Sequence, residues 1–340
     1  LGIGAQAAHR RGASGARVSD ASADQPCLPT ADLFYRSPTN PILTANRWPI
    51  PVNTVFNAAA AHDGTDTVLI CRVEDGRGIS HLWAARSRDG LGDWRVDPQP
   101  MLSPRPGVEE EQWGFEDPRV VWVEELGTWV LTCTAYGPPG PAVFLATTDL
   151  HTVEPRGLVM PPEDKNAALL PRRLDGDWVM LHRPATPTAG PTPGIWLSRS
   201  PDLVSWRFTQ RVMHPRDGAW WDAARIGIGP PPIDTEHGWL LIYHGVKQTM
   251  SGAIYRVGLA MLDRDHPEQV LHRSQAWVLG PTEPYERMGD VPNVVFPCGL
   301  VHDAGSDQVR LYYGAADTVL AVATARLSDL VDHVLTCPPG

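Results

Sequence analysis

From Leu33 onward, apolar residues fall in short runs instead of along a helical period. The runs at 67–73, 80–85, 120–123, 129–135, 142–147, 178–181, 194–198, 239–244, 256–262, 309–313 and 318–324 are rich in β-branched and aromatic residues. Clusters of Gly, Pro and Asp separate them, a pattern that predicts many short strands joined by turns. The expected class is all-β: a sandwich, a barrel or a propeller.

A degenerate repeat chooses among the three. Ala85-Arg86-Ser87-Arg88-Asp89-Gly90 leads to Trp94, and Ala146-Thr147-Thr148-Asp149-Leu150 leads to Val153-Glu154. Ser198-Arg199-Ser200-Pro201-Asp202-Leu203 leads to Trp206, Ala260-Met261-Leu262-Asp263 leads to an Asp-His-Pro turn, and 323–330 holds a weaker last copy. Each copy ends a strand and opens a turn, and the copies recur at about 60 residues, so about five units fill the chain. A five-bladed β-propeller is the expected architecture, as one catalytic domain over residues 31–340. Residues 1–30 are Ala-, Gly-, Ser- and Arg-rich with no apolar core segment. They are expected to be a disordered tail without a secretory signal.

Composition narrows the function. The net charge of −10 argues against a nucleic-acid partner and gives no reason to expect an anionic membrane surface, and no apolar run approaches a membrane span. Thirteen Trp and thirty-four Pro fit a turn-rich β protein with aromatics free to pack sheets or stack on sugar rings. Cys27, Cys71, Cys133, Cys298 and Cys337 are odd in number and lack CxxC spacing, which fits reduced thiols in the cytoplasm. No HExxH motif and no His/Cys cluster with zinc spacing occurs, so no metal or cofactor is expected.

In a propeller, loops from every sheet converge on one channel, so polar residues at strand ends become candidates. Gly114-Phe115-Glu116-Asp117-Pro118-Arg119 precedes an apolar run, and Pro118 holds Asp117 out of the helical region. Asp117 is therefore expected at the mouth of a strand, beside a second carboxylate and near a guanidinium. On the residues alone, an Asp-Pro turn with Arg119 in a surface ion pair stays open. Asn57 stands in a run of small apolar residues, Arg72 ends a strand, and Lys165-Asn166 follows a Pro-Pro turn. His182-Arg183-Pro184, Arg225, Tyr243-His244-Gly245 and Tyr313-Gly314-Ala315-Ala316-Asp317 occupy comparable positions.

At these residues the chain resembles glycoside hydrolase family 130, the inverting β-mannoside phosphorylases and a smaller set of β-mannosidases. The resemblance runs from about Asn40 to Asp317. It also includes Ser200-Pro201-Asp202-Leu203-Val204-Ser205-Trp206, Pro231-Pro232-Ile233 and Asn293-Val294-Val295-Phe296-Pro297. It implies Asp117 as catalytic acid and Asn57, Arg72, Asp317 and Phe296 around the mannosyl unit. It also implies Lys165, Arg183, Arg225 and His244 around inorganic phosphate, the co-substrate. Arg225 stands where many phosphorylases have Lys, and Asp222 follows Trp221 where Glu is usual. Family members are often homo-oligomers, but no stripe in this sequence sets the state.

The implied reaction turns a β-mannoside and phosphate into α-mannose 1-phosphate and a free sugar, with inversion. Phosphate is itself the nucleophile, so the chain must supply fixed cations and one proton donor. Neighbouring carboxylates and partial burial are expected to raise the pKa of that donor, which the resemblance implies acts in part through the sugar's 3-hydroxyl. An inverting hydrolase would need a second carboxylate to activate water, and Glu116, Asp75, Asp222 and Glu286 are the candidates. A non-catalytic glycan-binding propeller is the third reading, and loops 186–193, 247–255 and 281–290 are candidates for the leaving-sugar side.

Overall fold

The computed structural model describes residues 32–186, 189–190, 192–303 and 305–340, so the expected N-terminal tail lies outside the described residues. Antiparallel hairpins dominate. After β1 (Tyr35–Arg36), whose partner lies near the end of the chain, the first sheet is built from β2 (Thr54–His62), β3 (Thr67–Glu74), β4 (Ser80–Ser87) and the short β5 (Arg95–Val96). The meander β6 (Gly114–Val123), β7 (Thr128–Gly137), β8 (Gly140–Thr148) and β9 (Val153–Leu158) joins it through a single parallel bridge, Ser80 to Gly114. Next come β10 (Asp164–Leu169), β11 (Trp178–Pro184), β12 (Ile195–Ser200) and β13 (Arg207–Met213). The following sheet has β14 (Arg225–Ile228), β15 (Ile233–Thr235), β16 (Gly238–Thr249), β17 (Gly252–Leu262) and β18 (Val270–Arg273). The last has β19 (Val295–His302), β20 (Gln308–Ala315) and β21 (Val319–Arg326), and β1 completes its edge, which ties the first described strand to the end of the chain.

Five apolar clusters lie between consecutive meanders. Val130, Val143 and Leu145 meet Ala167, Leu169 and Met180, for example, while Leu181 and Leu197 meet Leu241 and Ala260. One cluster joins the last meander to the first, where Tyr312, Leu320 and Val322 pack on Val55, Leu69 and Trp83. The first strands face one another in the middle: β2 touches β19 and β6, and β10 touches β6 and β14.

The repeat read from the sequence has a local cause. Asp89, Asp149, Asp202 and Asp263 each accept two backbone N–H groups two and three residues on, closing the turn after the third strand of a meander. The pattern missed one helix of note, α1 (Leu327–Leu335), which buries Leu330, Val331 and Val334 against the last two sheets. Among the described residues no helix is long and apolar enough to cross a membrane.

Candidate active site

Three innermost strands break register at the same height. The ladder slips between Phe56 and Ala58 in β2, between Glu116 and Arg119 in β6, and between Lys165 and Ala168 in β10. Asn57, Asp117 and Asn166 sit at these bulges with φ of 45°, 48° and 54°. Asn and Asp tolerate this left-handed region better than other side chains bearing Cβ. A bulge re-aims side chains, so that neighbours such as Glu116 and Asp117, or Lys165 and Asn166, reach one cavity together. Asp117 thus lies inside a strand and not at its mouth. Asp317, with φ 48°, arrives from the turn between β20 and β21. Gly314 is required opposite, because a Cβ there would stand 1.9 Å from Asn57 Oδ1.

The cavity holds about 130 Å³, far below the 300–1,000 Å³ of pockets that enclose a whole drug-sized ligand. On its acidic side Asn57 Nδ2 donates to Asp117 Oδ1 at 2.8 Å, and Arg72 donates to the same oxygen at 3.3 Å and to Glu116 at 2.9 Å. Arg72 is fixed in turn by Ser80 Oγ at 3.0 Å and by the Phe56 ring, 4.5 Å away. Arg119 is not a surface ion-pair partner. Its side chain is fully buried and donates to the carbonyls of Asp117 (2.5 Å), Gly229 (3.0 Å) and Ile228 (3.1 Å), so it clamps the β6 bulge to the end of β14.

These neighbours overturn the expectation for the acid. Burial pushes the Asp117 carboxyl up, but Arg72, Arg119 and Lys165 outweigh it and hold the group below its ordinary value. Asp317 goes the other way: burial, reinforced by the adjacent Asp117 charge, pushes it up to about 7. Two facing carboxyls driven apart in this way divide their protonation between them.

On the basic side Lys165 and Arg183 are paired across the β10–β11 ladder, and His244 of β16 stands opposite Gly227 of β14. Burial, and then Arg225, lowers Arg183 to about 10, so it remains a cation at neutral pH. Its Nε and one Nη are buried without a protein partner. Both amide atoms of Asn166 and both ring nitrogens of His244 are equally unpartnered. Burial and the surrounding cations push His244 well below its ordinary value, so it is a neutral imidazole here. Lys165 is also lowered, by burial first, with Glu116 opposing and Arg183 adding to the effect. Phe296 lies against His244, ring centres 4.5 Å apart. Arg225 is the exception: it donates to the Tyr255 hydroxyl and stands behind that ring, which lines the cavity in its place.

So many buried polar atoms without partners are costly unless a ligand completes them. A buried guanidinium lacking a carboxylate points to an anion. Two roomier grooves of about 650 and 640 Å³ surround Trp122 and Trp129, and none of the orphaned atoms named above lines them.

Second-layer contacts hold the cluster in place. His182 binds Asp164 at 2.6 Å and Ser198 at 2.9 Å, all three buried, and Ser198 binds the exposed Thr209 at 2.6 Å, a chain linking β10 to β13 beside Arg183. Asp222 accepts from Tyr243 (2.9 Å), Arg273 (2.6 Å) and Arg216 (3.3 Å), which fixes the strand that carries His244. Glu286 accepts from Arg36 and Tyr313 at 2.8 Å each. Neither Asp222 nor Glu286 has exposed surface, and Asp75 is bound to Arg77 outside the cavity lining, so none of the three is placed to activate water there. From sequence, Asn166, Tyr255 and Arg119 have no individual role and Glu116 is named only as a candidate base for hydrolysis, although Glu116 and Asn166 adjoin Asp117 and Lys165.

Comparison with known proteins agrees with this geometry. The glycoside hydrolase 130 family model, described as beta-1,4-mannooligosaccharide phosphorylase, matches residues 29–336. A beta-1,4-mannooligosaccharide phosphorylase of Ruminococcus albus is 34% identical over 310 residues, covering 89% of this chain and 91% of that protein. A 1,2-beta-oligomannan phosphorylase of a Thermoanaerobacter species is 36% identical over 287 residues, 81% of this chain and 91% of that one. The solved β-1,2-mannobiose phosphorylase of Listeria innocua, in complex with β-1,2-mannobiose, superposes with a TM-score of 0.80 at 28% identity, covering 89% of this chain and 99% of that one. The chain belongs to glycoside hydrolase family 130.

Proposed function

We propose that this protein is an inverting β-mannoside phosphorylase, built as a single five-bladed β-propeller over residues 31–340. The five meanders, with apolar clusters between each consecutive pair and between last and first, support that architecture. The observation that carries the activity is the set of orphaned, buried donors on Arg183, Asn166 and His244, beside Lys165 and facing Asp117 across one small cavity.

Inorganic phosphate binds against Arg183, Lys165, Asn166 and neutral His244, with Arg225 adding charge through its position behind Tyr255. The terminal mannosyl ring lies between Asn57, Arg72, Asp317 and Phe296. A phosphate oxygen forms the new bond to the anomeric carbon as the bond to the leaving oxygen breaks, and that oxygen takes its proton from Asp117. The family resemblance routes the proton through the ring's 3-hydroxyl. One displacement gives α-mannose 1-phosphate and a free sugar.

In the empty cavity Asp117 is held ionised, which is wrong for an acid. Phosphate brings negative charge against Lys165, one of the groups holding it so, and favours the protonated form. Proton donation is thus coupled to phosphate occupancy. A reducing, cytoplasmic setting suits the unpaired thiols of Cys71, Cys133, Cys298 and Cys337.

The test is cleavage of β-linked mannobiose with and without phosphate. Turnover that rises from baseline to saturation with phosphate supports the reading, and equal turnover in phosphate-free buffer assigns the site to hydrolysis.

A further inference from the structure

We infer that the leaving part of a longer β-mannoside chain passes over Trp113 into a preformed groove at the rim, a distal saccharide site for neutral oligosaccharides. This rests on the phosphorylase reading for the direction in which the substrate lies. The cavity is small enough that only the reacting groups fit inside it, so sugars beyond the cleaved bond must lie outside.

Trp113 is 44% exposed and stands four residues before Asp117, immediately ahead of β6. Along extended chain this separation is at most about 13 Å, farther than the ring next to the cleaved bond but within reach of the following one. Its position is fixed on both sides of the backbone: its N–H donates to the Tyr136 carbonyl at 2.8 Å and its carbonyl accepts from Ser80 at 3.0 Å. Its ring meets Tyr136 edge-on at 5.3 Å, and the Tyr136 ring lies 5.7 Å from Lys165 Nζ of the cavity. A rigid, half-exposed indole at the lip of a sugar site offers a flat face for stacking at little entropic cost.

Beside it runs a groove of about 590 Å³ lined by Arg77, Ile79, His81, Arg105, Glu109 and Gln112. Cavity, lip and groove share one wall. Ser80 accepts from Arg72 of the cavity and binds Trp113, and its neighbours Ile79 and His81 line the groove. The polar lining is already ordered: Arg105 is held by buried Glu111 at 3.0 Å, Arg77 by Asp75 at 2.7 Å, and His81 by Ser103 at 2.9 Å. Planar guanidinium, imidazole and amide groups are suited to paired hydroxyls, and a preformed surface loses little on binding.

The experiment compares wild type and W113A on β-linked mannobiose, mannotriose and mannotetraose with phosphate, in the β-1,4 and β-1,2 series. In W113A, kcat/KM for the tri- and tetrasaccharide falls about tenfold, the loss expected of one aromatic anchor, while the disaccharide value stays within about twofold. W113F recovers most of the loss. The unchanged disaccharide rate also reports a folded enzyme. Equal losses at every length, or none, overturn the site. Should wild type consume no mannoside with phosphate, the phosphorylase reading fails separately. Calorimetric binding of mannotetraose then decides the groove: weaker binding to W113A upholds it and equal binding refutes it.

Discussion

Replacing Arg183 with Met should raise the stability of the empty protein while removing its affinity for phosphate. Arg183 is buried, stays charged at neutral pH, and leaves Nε and one Nη without partners. Each unsatisfied buried donor costs about 1–3 kcal/mol, and apolar replacement of buried charged groups is often neutral or stabilising by about 1–4 kcal/mol. Met fills similar space with a flexible chain, so a gain of about 2 kcal/mol is expected without ligand. For a chain of this size that is a rise in Tm of roughly 3 °C. Phosphate reverses the order. Two charge-assisted hydrogen bonds at about 1.5–3 kcal/mol each make a loss of roughly 10²- to 10⁴-fold in phosphate affinity. At a hundred times its Kd, phosphate adds about 2.7 kcal/mol to wild type and little to the variant. Thermal unfolding of both proteins across a phosphate titration, with KM for phosphate measured in parallel, reads both effects. A variant that melts lower without phosphate and keeps its phosphate KM would refute the reasoning.

Asp117→Asn should lower turnover by at least about 10³-fold, within the range for a lost general acid, while calorimetric mannoside binding changes little. Lost turnover together with lost binding would make Asp117 a binding residue. The Asp317 carboxyl is pushed up to about 7, so the empty folded state binds its proton over a window in which the unfolded chain, with an ordinary value of about 3.9, has released it. Its contribution to stability is therefore lost as pH rises from about 4 to about 7, and Asp317→Asn should flatten that decline in ligand-free unfolding curves; an unchanged slope would contradict it. Gly227→Ala places a Cβ 2.5 Å from His244 Cε1 and 2.7 Å from Asn166 Nδ2. It should raise KM for phosphate by about tenfold or more and KM for mannoside much less, because small misplacements in a reacting site are costly. An unchanged phosphate KM would remove both residues from the phosphate site.

The second and third strands of each meander were legible because they are runs of β-branched and aromatic residues closed by Asx turns, whereas the short, polar outermost strands β5, β9, β13 and β18 were not. Of the innermost strands only the second half of β6, Val120–Val123, was read. β2 is mostly Ala around Asn57, β10 starts Asp-Lys-Asn, β14 is four residues containing a Gly, and β19 contains Pro297. Bulges move successive side chains to the same face, and burial on both sides removes alternation, so the strands that carry the site erase the periodicity that would reveal them. Site residues were found by resemblance to a family, which named Lys165 but not its neighbour Asn166. The charge state of Asp117 was misread for a related reason. The chain places Glu116 and Arg119 close to it, but only folding brings Arg72 and Lys165 around it. Arg225 matched a family position, yet Tyr255, thirty residues on, occupies the cavity wall in front of it.

The most direct check on phosphate as the attacking group is real-time ¹H and ³¹P NMR of the purified protein acting on β-linked mannobiose in phosphate buffer. The account predicts α-mannose 1-phosphate as the first sugar product, formed in step with the loss of inorganic phosphate and the appearance of one free mannose. Two free mannoses per disaccharide, with the phosphate signal unchanged, would contradict it.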